Sequence, residues 1–391
     1  MLNIPTNKFA SIVVVLLMAV LLGACAGIPR DVVGLGAEHI TAAQQNGATV
    51  RKIYIATTRK KSSNKLEYFS GERSPTMQLG SIDVSIPAGH KEGAIERLNG
   101  KIIDPTKSFI LSEPNLIESP VAFQANLNNQ LASRFGQQKD ILVFVHGYNT
   151  NFSAAVLRVA QFVHDTKYEG IPVLFSWASR GSTFDYLYDI NSALQAREQL
   201  SRLGVILGDV NATHFDVVAH SMGNLVTLEA MRTLELRQRG STGGRLRHVV
   251  LASPDIDIDF FKTQLKSVRS LQDRFTVLVS NDDRALNLSQ RLAGGVNRVG
   301  ATDPVELAKL GLKVIDLTEI EGASSTNHTK FASSPDIVGL IGRGLKDGNT
   351  LSAQSSPSAI KTVVGGIVKG VTIIPASIVD GAQAAVISVG N

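Results

Sequence analysis

Across 391 residues there is a single cysteine, Cys25. One thiol forms no intramolecular disulfide, so the stability of the chain must come from its core. No Cys/His pair at ligand spacing and no Asp-rich loop is found elsewhere, which argues against a metal site. The glycine pairs Gly294-Gly295 and Gly365-Gly366 lack a following Lys-Ser/Thr, which argues against a phosphate loop, and no cofactor is expected. The 39 basic residues are scattered, Arg59-Lys60-Lys61 being the densest run, and the net charge is only +5. Without a stripe of Lys and Arg interleaved with aromatics, nucleic acid is not an expected partner. The N-terminal apolar run, Ile12 to Leu22, falls well short of the about 20 residues that a membrane-spanning helix needs.

That run is nonetheless informative. Lys8 precedes it and Gly23-Ala24-Cys25 follows, which are the parts of a secretory signal. Leu22-Gly23-Ala24-Cys25 resembles the lipobox of bacterial lipoprotein signals. The resemblance implies cleavage before Cys25, a diacyl thioether on its sulfur and an acylated amino terminus. Ala26 in place of an Asp then implies the outer membrane, facing the periplasm. The alternative is an ordinary cleaved signal with a chance cysteine. The expected layout is a signal over 1–24, a polar tether over 25–50, and a membrane contact made through lipid.

From Arg51 the pattern becomes that of a folded domain. Arg51 to Thr57 and Leu79 to Ile86 alternate as antiparallel strands do, with a polar loop, Thr58 to Gln78, between them. Ile141 to Val145 is short and wholly apolar, the sign of a strand buried on both faces. Similar runs recur at Ile171 to Ser176, His214 to Ala219, His248 to Ala252, Phe275 to Ser280 and Leu312 to Leu317. Helical patterns fall between them, over 151–166, 185–207, 222–237, 259–268 and 285–292, and a last one over 334–345. Strands alternating with helices imply a mostly parallel sheet covered on both faces, an α/β class, over 51–347. Leu351 to Ser358 reads as a Ser/Pro linker. The apolar, Gly/Val/Ala-rich tail from Ala359 to Asn391 leaves three placements open: on the domain, along a membrane surface, or disordered.

Chemistry concentrates at strand ends. In the α/β-hydrolase fold a nucleophile sits on a tight strand-to-helix turn flanked by small residues. Ala219-His220-Ser221-Met222-Gly223 meets that pattern, with a buried strand ending at Ala219 and a helical pattern beginning at Met222. Ser221 is then the candidate nucleophile, and the Met222 N–H a candidate oxyanion donor. Val145-His146-Gly147-Tyr148-Asn149 resembles the His-Gly segment that supplies the second donor in lipases and esterases, here Tyr148, with Gly147 permitting close approach. In this fold the base follows the nucleophile. Of the histidines only His248 and His328 do so, and His248 begins a strand, at the wrong edge of the sheet. His328 lies in the loop after the last strand. For the acid, Asp282 and Asp283 follow the strand ending at Ser280, and Asp255 and Asp257 follow the preceding one. Asp216 and Asp316 lie inside strands and read as structural.

The stretches IYIATTR, FSGERS, SIDVSIPAGHKEG, ILVFVHGYNT, VLFSWASRG, YLYDINSA, VVAHSMGN, LASPDIDID, VSNDDRAL and NHTKF run from Ile53 to Phe331. Together they resemble bacterial α/β-hydrolases catalogued as a domain of unknown function within the esterase/lipase superfamily. The resemblance implies that Ser221, Asp283 and His328 occupy the triad positions, Asp283 being favoured by the Asp-Arg-Ala-Leu it opens. It assigns no role to Trp177, Ser179, Arg180 or Tyr188, which either line the pocket or brace the sheet edge. The expected activity is hydrolysis of a small-molecule or lipid ester through an acyl-enzyme. The alternatives are an acyltransferase with the same triad and a non-catalytic envelope scaffold.

Overall fold

The computed structural model describes residues 37–64, 67–98, 103–236, 244–321, 324–347, 371–374 and 387–389. The signal, Cys25 and most of the apolar tail lie outside the described residues.

Strict alternation builds two apolar layers from one sheet. In β5 (Ile141–Val145), Ile141, Val143 and Val145 join one buried cluster, while Leu142 and Phe144 join the other. This is the period-2 signature of a strand covered on both faces. The helix Phe152–Asp165 packs on the second face, and Tyr186–Gly208 and Gly223–Leu236 on the first. Helix starts are set by side-chain caps: Asn151 accepts from the Ala154 N–H, and Asp283 from the N–H groups of Ala285 and Leu286.

The remaining strands are β1 (Thr49–Lys61), β2 (Phe69–Ile86), β3 (Ile110–Leu111), β4 (Asn115–Ile117), β6 (Ile171–Ser176), β7 (Phe215–His220), β8 (Leu246–Ala252), β9 (Phe275–Val279), β10 (Lys313–Asp316), β11 (Val371–Ile374) and β12 (Ile387–Val389). The sheet runs β12-β11-β10-β9-β8-β7-β5-β6-β1-β2-β3, with β4 also on β2. Pairings from β1 through β10 in that order are parallel, and both ends are finished by antiparallel strands. Strand order reverses between β5 and β7. There the connections leave toward opposite faces and open a crevice at the carboxyl edge. Val145 pairs with Ala219, and His220 with Ala252, so the loops after β5, β7 and β8 leave from one height.

One expectation is corrected and three segments gain detail. The polar stretch 58–78 is largely strand: β1 continues to Lys61 and β2 starts at Phe69, with Arg59 paired to Arg73 and Lys61 to Phe69, and both Arg59 and Phe69 are buried. Part of the expected tether is a helix, Ala37–Gln45, whose Ile40 is buried with Ile110. The helix Pro120–Ala132, capped by Ser119, was not anticipated, and its Phe123, Leu127 and Leu131 are buried. In the tail, β11 pairs antiparallel with β10 and buries Ile373 and Ile374, so this piece packs on the domain.

Candidate active site

Ser221 stands between the last residue of β7 and the first of the helix Gly223–Leu236. Its φ is 53°, a left-handed conformation that costs a non-glycine residue about 1–3 kcal/mol. The turn is held by its backbone. Ser221 N–H donates to the Ala252 carbonyl at 3.0 Å, and the Ser221 carbonyl accepts from the N–H groups of Asn224 and Asp255 at 3.1 and 3.2 Å. Asn224 Nδ2 donates to the same carbonyl at 2.9 Å.

Two glycines let the loop after β5 reach this turn. A Cβ on Gly223 would lie 2.4 Å from the His146 carbonyl oxygen, and one on Gly147 would lie 2.7 Å from the Ser221 Cβ. Neither contact is sterically admissible, so the small residues follow from backbone crowding. Among the described residues, the backbone N–H groups of Tyr148 and Met222 have no acceptor, whereas those of Asn149, Thr150, Ser221 and Asn224 do. The Thr150 N–H donates to Ser179 Oγ at 3.0 Å, and the Asn149 N–H to Asp189 Oδ2 at 3.4 Å. Two donors are thereby left beside the Ser221 turn for an incoming oxygen.

A buried network supports this loop. Arg59 is fully buried and donates to Ser176 Oγ at 2.8 Å and to the carbonyls of Ser179 and Thr150 at 2.7 and 2.6 Å. Burial lowers its pKa to about 10, which still leaves it charged at neutral pH. His146 stacks on Trp177 at 5.1 Å with an interplanar angle of 10°, and Trp177 Nε1 donates to the His146 carbonyl at 2.7 Å. The His146 Nδ1–H donates to the Gly147 carbonyl at 2.8 Å, which fixes its tautomer. Burial, and then the charge of Arg59, push its pKa down to about 3, so it is neutral. Ser179 Oγ donates to Asp189 at 2.6 Å. The Tyr188 ring lies between the guanidinium groups of Arg73 and Arg180, at 4.2 and 3.7 Å. Trp177 and Ser179 therefore brace the loop after β5. Arg180 and Tyr188 brace the join between β2 and the helix Tyr186–Gly208.

The residues alone left four carboxylates for the acid, the family resemblance favoured Asp283, and Asp283 is the one that meets His328. Asp283 is fully buried and places Oδ2 2.7 Å from His328 Nδ1, while its Oδ1 caps the following helix. A carboxylate only accepts, so Nδ1 carries the proton and Nε2 is left as the basic nitrogen. Burial opposes charging His328. The charge and hydrogen bond of Asp283, with Asp255 farther off, outweigh that and raise its pKa. Asp282 instead binds Lys330 Nζ at 2.7 Å and accepts from Asn327 Nδ2 at 2.7 Å. Asp255 engages Ser289 Oγ and pairs with Arg298 at 3.3 Å. Asp257 caps the helix Ile258–Ser267. Asp216 ties Arg247 to His248 at the opposite edge of the sheet, clear of the site.

His328 and Ser221 share the carboxyl edge: the His328 ring packs 4.7 Å from the ring of His220, the residue before Ser221. Among the described residues no hydrogen bond joins the Ser221 hydroxyl to His328. Such contacts often tighten only with substrate bound. Also among the described residues, no group of three or more His, Cys, Asp or Glu side chains converges as a metal site would require. No site role was read from sequence for Arg59, Asp189, Lys330 or His220. Each lies inside a stretch carrying the family resemblance, which was the only signal available for them.

The family model described as alpha/beta hydrolase of unknown function (DUF900) matches residues 119–344. Among solved structures the chain is similar to an esterase of Pyrobaculum calidifontis, at 9% identity and a TM-score of 0.36, covering 80% of this chain and 90% of that one. It is also similar to a fungal esterase of Rhizomucor miehei, at 11% identity and a TM-score of 0.32, covering 80% and 88%. No curated protein matches the chain.

Proposed function

The chain belongs to the α/β-hydrolase family of unknown function that matches residues 119–344, and from that premise we propose that it is a serine hydrolase cleaving carboxylic esters through an acyl-enzyme. The observation that carries this reading is the 2.7 Å bond from His328 Nδ1 to the buried Asp283, at the same edge as the strained Ser221. In the proposed cycle His328 Nε2 takes the Ser221 hydroxyl proton as Oγ bonds to the ester carbonyl carbon. The negative oxygen that results accepts from the Tyr148 and Met222 N–H groups, with Gly147 leaving room for it. Collapse breaks the bond to the leaving alcohol, which receives the proton from His328. Water then attacks the acyl-enzyme with His328 again as base, which frees the acid and restores Ser221.

A fluorophosphonate probe tests the reading: it should label the wild-type protein and not Ser221→Ala. A panel of nitrophenyl esters of increasing acyl length then identifies the substrate class. Labelling of Ser221→Ala at the wild-type rate would remove the assignment.

The lipobox-like Leu22-Gly23-Ala24-Cys25 supports a second part of the proposal, an envelope enzyme held by lipid on Cys25. Several acyl chains anchor stably where one would not, at about 0.8 kcal/mol per buried CH₂. Cys25→Ser should release the protein or block its processing. Unmodified, soluble protein in the periplasm of the source organism would contradict this.

A further inference from the structure

His220 is the last residue of β7, next to Ser221, and the proposed cycle gives it nothing to do. Its side chain nevertheless joins the parts of the site. Nε2 lies 3.1 Å from the backbone carbonyl oxygen of His328. A carbonyl only accepts, so Nε2 carries the proton, and Nδ1 of the neutral ring does not. The other edge of the ring faces the loop after β5, where a Cβ on Gly147 would come within 2.9 Å of Nδ1. One face of the ring packs on His328, and the ring also lies 4.7 Å from Phe331 at 30°, which anchors it to the aromatic group of Phe144 and Phe162.

Asp283 fixes the direction of the His328 ring but not the position of its backbone. His328 follows Asn327, at φ 58°, in a stretch of turns. The His220 bond runs from the residue next to the nucleophile to the main chain of the base. Burial first, and then the neighbouring His328, keep the His220 ring neutral, so the donor persists without placing a cation beside the imidazolium formed in turnover.

We propose that His220 is a positioning residue, whose Nε2–H bond to the His328 carbonyl sets the separation of base and nucleophile. The inference rests on the reading of Ser221 and His328 given above. The test compares His220→Gln, whose amide nitrogen reaches nearly the place of Nε2, with His220→Phe, which keeps a ring but has no donor, and with His220→Asn, whose amide is too short. The measurements are kcat and KM on a short-chain nitrophenyl ester, the rate of fluorophosphonate labelling, and Tm.

Misplacement of a reacting group by about 1 Å can cost on the order of 100-fold, so His220→Phe and His220→Asn should lose roughly 10- to 100-fold in kcat and labelling rate, with little change in KM. His220→Gln should recover most of that loss. If His220→Phe does not fold, the Gln and Asn pair decides the matter. Equal losses in Gln and Asn, or wild-type kcat in Phe, would overturn the proposal. A wild-type protein that the probe does not label would overturn the parent reading, and this one with it. Labelled wild-type with unaffected variants overturns this one alone.

Discussion

The ammonium of Lys330 lies 2.7 and 2.9 Å from the two carboxylate oxygens of Asp282, directly beside the Asp283–His328 pair. Lys330 Nζ also donates to Ser280 Oγ at 3.1 Å and to the carbonyls of Leu317 and Thr318 at 2.9 and 3.1 Å. One buried side chain thus closes the exit of β9, the exit of β10 and the loop bearing His328. Asp282, adjacent in sequence to the proposed acid Asp283, serves the frame around it.

Lys330→Met should therefore destabilise the protein by about 1–3 kcal/mol, because it removes the donor to the buried Ser280 hydroxyl and Leu317 carbonyl. Asp282→Asn should cost less, because the Asp282 side chain is 37% exposed and water can replace part of the lost contact. Urea unfolding monitored by circular dichroism measures both. Equal stability of Lys330→Met and wild type would show that the contacts contribute nothing.

For the proposed triad, Ser221→Ala and His328→Ala should each reduce turnover by on the order of 10⁴–10⁶, with Asp283→Asn losing somewhat less. Because such groups act as a unit, the double variant Ser221→Ala/His328→Ala should be scarcely worse than either single one. Steady-state kinetics on one ester gives the comparison, and additive losses would mean that the two residues do not share a step.

The pH dependence follows from the raised pKa of His328. Only the neutral imidazole accepts the Ser221 proton, so kcat/KM should rise with pH through a limb above the ordinary histidine value of about 6.5. Asp283→Asn should move that limb down. Stability should run the other way. A histidine whose folded pKa is raised contributes stability that is complete below its unfolded pKa and is lost as pH rises through the folded one. A limb unmoved by Asp283→Asn would assign the titration to another group.

Arg59 offers a test of the proposed oxyanion loop at a distance from the chemistry. Arg59→Met leaves the carbonyls of Thr150 and Ser179 and the hydroxyl of Ser176 without their donor inside the core. An unsatisfied buried polar group costs about 1–3 kcal/mol, so Tm should fall, and loss of one oxyanion donor would lower kcat by on the order of 10²–10³. Arg59→Lys should restore little, because a point charge cannot replace the guanidinium fork. Full kcat in Arg59→Met would detach Arg59 from the loop.

How much was legible in the sequence differs from element to element. β5 and β6 were readable to the residue, because a strand buried on both faces is apolar throughout and ends abruptly in His146 or Trp177. The hairpin ends of β1 and β2 were not, because Thr58 to Gln78 is polar and its strand character comes from pairing such as Arg59 with Arg73. The helix Pro120–Ala132 was missed for a related reason: its buried residues are few and lie among Asn and Gln.

By itself the sequence determined the alternation of strands and helices, and with it the edge at which Ser221, Asp283 and His328 emerge. Hydrophobic period and chain order are local properties, and they survive without tertiary knowledge. The residues by themselves left several carboxylates open and only the family resemblance favoured Asp283; tertiary structure shows that it is the one that meets His328, and that Asp282, Lys330, Arg59 and His220 hold the frame. Asp282 and Asp283 are chemically identical neighbours. Only the path of the chain after β9 turns one toward the imidazole at 2.7 Å and the other toward Lys330 at 2.7 Å, and hydrogen bonding is decided by such distances.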